Sequence, residues 1–207
     1  MARYRGPKNR LARREAFDLG LKTPGSHAHT ELLKRMKILP GQHGQKGKRR
    51  RSSDYGLQLR EKQKVKRMYG LLERQFHRYF EIASREKGNT GDALLIMLEK
   101  RLDNLFYRLN LAPTRASARQ YISHGHVLVD GKRVNIPSFL VEPGMVVGYK
   151  QKSLEMPVVK KLLEEKNPNL PAWLERKGPL GKVLCLPKRE DITEGIDEQL
   201  IIEFYSR

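Results

Sequence analysis

Leu94, Leu95, Leu98, Leu102, Leu105, Phe106 and Leu109 recur at spacings of three and four, which predicts a helix with one inward face and with Lys100, Arg101 and Arg108 turned away from it. It ends before Pro113, because the residue preceding a proline is pushed out of helical dihedrals. Thr114 is a suitable N-cap for a second helix, Arg115 to His124. That helix turns Tyr121 and Ile122 inward and sets Arg115 and Arg119, four apart, on another face. Gly125 stops it. Val127-Leu128-Val129 and Lys132-Arg133-Val134 then flank Asp130-Gly131, a strong signal for a type I′ hairpin. Leu98 to Val134 thus reads as helix, helix and hairpin.

Upstream, Ser53 or Asp54 opens a long helical pattern reaching about Lys87. Val65, Met68, Tyr69, Leu72, Phe76, Tyr79, Phe80 and Ala83 fall on one side, and Arg60, Lys64, Arg67, Arg74, Arg78 and Arg85 nearly opposite. Gly70 marks a bend or a break between two helices. Gly88-Asn89-Thr90-Gly91 is a stop and restart, and the domain boundary is expected there. Downstream of the hairpin, Pro137 and Glu142-Pro143-Gly144 are turns, Met145 to Lys150 reads as a strand, and Pro157 to Lys166 as a short helix. Prolines and glycines from Pro168 to Pro187 make the next part loop-rich, with Trp173 as its apolar anchor.

The first 51 residues show no sustained period, carry turns at Gly6-Pro7, Pro24-Gly25 and Pro40-Gly41, and are too poor in large apolar groups to pack a core without help. The expected architecture is therefore α+β. It comprises a basic extension (1–51), a helical domain (52–91), a second domain (92–187) holding the helix-helix-hairpin module at about 98–150 with antiparallel strands, and a tail (188–207).

Charge sharpens this outline. The 207 residues hold 42 Lys and Arg against 23 Asp and Glu, a net +19, which points to a polyanionic partner, most often nucleic acid. Fifteen cations and three acids, a net +12, lie in the first 51 residues, densest in Lys46 to Arg51, KGKRRR. That run reads as a backbone clamp rather than a reader of bases. The tail carries six acids and three cations, and Leu200 to Tyr205 should form a strand or short element facing protein rather than phosphate. No run of about 18 apolar residues and no apolar signal core occurs, so no membrane partner is expected. The single cysteine, Cys185, allows no internal disulfide and suits a reducing, cytoplasmic setting.

The free N–H groups and dipole of the second helix's N-terminus, with Arg115, suggest a seat for phosphate that Lys132 and Arg133 extend. His27, His29 and His43 could ligate a metal, but no cysteine accompanies them and no metal or other cofactor is expected. Arg101-Leu102-Asp103 resembles the Arg-Leu-Asp motif of pseudouridine synthases, with Asp103 as nucleophile. Asp103 lies between core positions, however, and the chain is too short and loop-rich for a separate catalytic domain, so an enzyme is not expected. His124 and His126, flanking Gly125, read as surface or RNA-contacting groups.

RLDNLFYRLNLAPTRASARQYISHGHVLVDGKRV resembles the small RNA-binding module named after the fourth protein of the bacterial small ribosomal subunit. The opening ARYRGPKNRLARRE, the block PGQHGQKGKRRRSSDYGLQLREKQKVKRMYGLLERQFHRYF and the ending IDEQLIIEFYSR extend the resemblance over nearly the whole chain, to the bacterial-type small-subunit ribosomal protein four family. The resemblance implies a protein that binds the 5′ domain of small-subunit rRNA early in assembly and nucleates folding around a multi-helix junction. It also implies a place beside ribosomal proteins three and five on the path by which mRNA enters, with an influence on decoding accuracy. The RNA-binding residues expected are Arg3, Tyr4, Arg5, Lys8, Arg10, Arg13, Arg14 and His43 in the first segment, and Arg60, Lys64, Arg67, Arg74 and Arg78 on the striped helix. In the module they are Thr114, Arg115, Arg119, Lys132 and Arg133, while Lys46, Lys48, Arg49, Arg50 and Arg51 match the region associated with mRNA. Some family members bind zinc through four cysteines. Here Asn9 and Ala12 stand where the first pair would lie, so the chain resembles the zinc-free branch, and no iron-sulfur cluster is expected either.

Overall fold

The computed structural model describes residues 4–45, 53–164 and 170–206. In chain order the helices are α1 (Lys8–Glu15), α2 (His27–Lys34), α3 (Asp54–Met68), α4 (Glu73–Arg85), α5 (Thr90–Glu99), α6 (Leu102–Arg108), α7 (Arg115–Ser123), α8 (Pro157–Leu163) and α9 (Glu198–Tyr205). The strands are β1 (Val127–Val129), β2 (Lys132–Arg133), β3 (Val146–Tyr149), β4 (Leu174–Lys177) and β5 (Leu180–Val183). The fold is α+β, in two compact units: Met1–Gly91 together with Glu194–Arg207, and Asp92–Thr193.

The first unit is helical. The long upstream pattern is two helices, not one: Ser53 caps α3 by accepting from the Gly56 amide at 3.2 Å, and Gly70, at φ 65°, ends it. The Leu71 amide reaches back to the Lys66 carbonyl at 2.9 Å, the closure that a left-handed residue permits. The opening segment, expected to need help to pack a core, finds it in α3, which supplies the missing partners. Ala12, Leu19 and Leu32 are buried, and the nearly buried Glu15 carboxylate pairs with Arg60 at 3.2 Å and with Arg67. Arg13 donates to the carbonyls of Ile38 and Leu39 at 3.0 and 2.9 Å, fixing the stretch that follows α2.

The tail is a helix rather than a strand, and its partner is the chain itself. Asp197 caps α9 by accepting from the Leu200 amide, and Ile201 is buried. Gln58 on α3 donates to Glu203 at 3.0 Å, the buried Lys62 ammonium lies 4.1 Å from the Phe204 ring centroid, and Tyr205 stacks on Phe80 of α4 at 4.6 Å. Glu73, at the start of α4, accepts from Lys62 at 2.6 Å, Lys66 at 2.7 Å and Tyr205 at 3.0 Å.

In the second unit the predicted helix over Leu94 to Leu109 is broken. α5 ends at Glu99, and Arg101 is extended, bridging to Leu140. The amide–carbonyl pairs freed by the break go to residues 137–141: Leu102 donates to Phe139 at 2.8 Å, and Val141 to Lys100 at 2.9 Å. Among the described residues the sheet has order β2-β1-β3-β5-β4, antiparallel throughout. Asp130 and Gly131 both have positive φ, as a type I′ hairpin requires, and the Asp130 carboxylate accepts from the Val146 amide at 2.8 Å.

The β4–β5 hairpin lies where the sequence suggested loop. β5 alternates, with Gly181 and Val183 buried, β4 opens on the buried Leu174, and at Gly181 a Cβ would collide with Leu109, which caps α6. The core joins Leu105, Phe106 and Leu109 to Ile122, Val147 and Trp173, and Tyr149 meets Phe106 edge-on at 4.9 Å.

Burial draws the Glu73 pKa upward, but hydrogen bonds from Lys62, Lys66 and Tyr205 outweigh it and hold the carboxyl at about 2. The folded value lies below the unfolded one, so this contribution is present above about pH 4.5 and is lost as pH falls through about 2. With the carboxylate half-exposed it is worth about 1 kcal/mol. Hydrogen exchange over Leu200–Tyr205, corrected for intrinsic rates, should therefore quicken on acidification in the native chain, and Glu73→Gln should remove most of that pH dependence.

Candidate nucleic-acid interface

Two carboxylates organise the polar side of the second unit. Asp103, 2% exposed, accepts from Arg101 at 3.0 and 2.8 Å through both oxygens, and from Arg119 of α7 at 3.0 and 2.5 Å. Glu99, at the end of α5, holds Arg108 by two bonds at 3.0 and 2.8 Å, and accepts from the Asn104 amide at 2.8 Å. Asn104 in turn accepts from Arg115 at 2.7 Å, and the Arg115 guanidinium lies 4.6 Å from the Tyr107 ring centroid.

These pairings correct the expected phosphate seat at the start of α7. Thr114 is buried and spends its hydroxyl on the Ser117 amide at 3.1 Å, while Arg115 and Arg119 are 6% and 7% exposed. Arg101, expected to point outward, is 1% exposed. The reason is packing: α7 lies along α6, and a helix face that meets two buried carboxylates draws its arginines inward. The same geometry ties both Asp103 oxygens to guanidinium groups inside the unit.

Some of the exposed cations of this unit lie at the other end of α7. Gly125, at φ 74°, ends the helix, and the His126 amide closes onto the Tyr121 carbonyl at 3.0 Å. The guanidinium of Arg133 packs against the face of Gly125 that a Cβ would occupy. Lys150 joins them because β1 pairs with β3, and its amide donates to the His126 carbonyl at 2.8 Å. His124 and His126 have ring centroids 6.1 Å apart, and His126 Nδ1 is 3.0 Å from the Ser153 hydroxyl. Burial, then the nearby His124, Arg133 and Lys150, push the His126 pKa below the ordinary imidazole value. Lys132, Arg133 and Lys150 are exposed. Lys150 was missed from the sequence because only strand pairing brings it to the hairpin.

In the first unit the cationic stripe divides. Arg60 and Arg67 face Glu15, and Lys64 binds Glu61 at 2.9 Å and the Gly195 carbonyl. Arg74 and Arg78 stay exposed on α4, in line with the exposed Arg85 and opposite the buried Phe76 and Ala83. Tyr4, Arg5, Arg10, Arg14 and His43 are exposed, whereas Lys8 and Arg13 are half-buried. Arg3, Lys46, Lys48, Arg49, Arg50 and Arg51 lie outside the described residues. His29 pairs with Asp18 at 2.7 Å, and among the described residues no three His, Cys, Asp or Glu side chains group as metal ligands would.

A helix-helix-hairpin unit with an exposed basic end defines the class, and residues 100–147 match the S4 domain. Residues 3–99 match the ribosomal protein S4/S9 N-terminal domain. The small ribosomal subunit protein uS4 of Dictyoglomus turgidum is 53% identical over the full length of both chains. The proteins of that name from Herpetosiphon aurantiacus and Parabacteroides distasonis are 51% and 50% identical, again over the whole of both chains. The chain belongs to the ribosomal protein S4 family.

Removing one partner of a buried ion pair strands the others, so Asp103→Ala should destabilise the second unit by about 3–5 kcal/mol. The single tryptophan, Trp173, is buried in that unit, and its fluorescence in a urea titration reports the shift in midpoint directly.

Proposed function

We propose that this chain is a structural, rRNA-binding component of the small ribosomal subunit, acting in the cytoplasm. The observation that carries the reading is identity of about half over the full length with proteins named small ribosomal subunit protein uS4. The exposed basic groups on α4 and at the end of α7 support it. Phosphate contacts from Arg74, Arg78, Lys132, Arg133 and Lys150 provide affinity, and RNA shape provides selection, since A-form grooves hide base edges from side chains. The target is the 5′ domain of small-subunit rRNA, where the protein nucleates folding around a helix junction. Lys46, Lys48 and Arg49 to Arg51 lie along the path by which mRNA enters, beside ribosomal proteins three and five, and through the latter the protein influences decoding accuracy. No helix among the described residues is long and apolar enough to cross a membrane.

Binding to a junction-containing 5′-domain rRNA fragment should exceed binding to an unstructured RNA of equal length at physiological salt; equal affinity for the two would overturn the reading. Each of Arg74→Ala, Arg78→Ala and Arg133→Ala should lower the slope of log affinity against log salt by about 1. Alanine substitutions through residues 46–51 should impair mRNA-related steps while leaving incorporation into subunits intact, which sedimentation of assembled subunits would check.

A further inference from the structure

The turn after α7 collects basic side chains from separate parts of the chain. His124 and His126 flank Gly125, Arg133 comes from β2, and Lys150 from the end of β3. We propose that these four groups form a phosphate site whose occupancy is coupled to protonation of His126, so that RNA engages it with uptake of one proton. The inference rests on the RNA-binding reading above and adds to it a proton linkage at one site.

The geometry suits a switchable donor. His126 Nδ1 faces the Ser153 hydroxyl at 3.0 Å, and Ser153 is 2% exposed, so the ring is pinned by a fixed partner. A hydroxyl donates to an unprotonated nitrogen and accepts from a protonated one, so the ring keeps its place in either state. Pinning through Nδ1 leaves Nε2 to meet a ligand. The Tyr121 ring stands edge-on at 6.4 Å. The charges that bear on the imidazole are His124 from α7, Arg133 from β2 and Lys150 from β3; Lys152 and Glu155 of the neighbouring turn are exposed.

With the site empty, those positive neighbours and partial burial favour the neutral ring. A phosphate among them reverses the local field: the imidazole binds a proton from solvent and donates Nε2–H to a phosphate oxygen. The bound value then lies above the free one, so affinity is greatest below the free value and is lost as pH rises through the bound value. For one proton the change reaches about tenfold per pH unit.

The test uses the full chain and a junction-containing 5′-domain rRNA fragment at constant ionic strength, from about pH 5.5 to about pH 8. Native affinity should fall several-fold over that range. His126→Gln, which can still hydrogen-bond Ser153, should flatten the profile, with Trp173 fluorescence confirming its fold. Calorimetry in buffers of different ionisation enthalpy should count up to one proton fewer taken up by the variant. Equal pH profiles and equal proton counts would overturn the coupling while leaving RNA binding in place. Absence of binding by the native chain at every pH would overturn the RNA reading itself. If His126→Gln does not fold, NMR titration of the His126 ring in the native chain decides: a midpoint raised by the RNA supports the coupling, and an unmoved one overturns it.

Discussion

The carboxylate of Asp103 is the constraint on which the second unit turns. It lies in the first turn of α6, just past the break from α5, where the backbone has left its helical path at Arg101 and drawn that side chain inside. Three guanidinium nitrogens converge on one of its oxygens and a fourth reaches the other, so α7 can sit only where Arg119 meets that charge. Glu99 does the same for Arg108 and, through Asn104, for Arg115. Such pairs contribute little net stability against a well-packed apolar alternative. Their effect is on register, because a misplaced helix would leave a buried charge unpartnered.

That constraint sorts the cations. Arginines that reach Asp103, Glu99 or Glu15 are structural, and their positive charge is answered inside the protein. Those on the outer side of α4, on β2 and at the end of β3 face solvent. The 42 Lys and Arg are thus an overcount of the cations a polyanion would meet, although the net of +19 already subtracts the acids. At the C-terminal end of α7 the exposed cations come from the hairpin and from the end of β3. There the helix dipole is unfavourable for an anion, and attraction must come from side chains of the hairpin and of β3.

The acidic tail completes the first unit rather than extending it. α9 sets Phe204 against the buried Lys62 and gives Tyr205 to Glu73, joining α3 and α4 from the far end of the sequence. Burial, and then Glu73 itself, keep the Tyr205 hydroxyl protonated well above the usual phenol range, so it serves as a lasting donor. Both ends of the chain belong to one unit, and the second unit is inserted between them.

The sequence by itself determined what local chemistry decides. The Thr114 cap, the stops at Gly70 and Gly125, the Asp130-Gly131 turn and the inward face of α4 each follow from dihedral preference or helical period, both of which act over a few residues. The α+β class and the basic character follow from the same local readings. Only tertiary structure decided which arginine meets which carboxylate, that Arg101 breaks a helix to be buried, that residues 174–183 form a hairpin, and that Lys150 stands beside His126. Arg115 and Arg119 look the same in sequence as Arg74 and Arg78, since each pair is spaced by four on an amphipathic helix. What separates them is whether the opposing surface holds a buried carboxylate or water, a fact of long-range packing that periodicity does not encode.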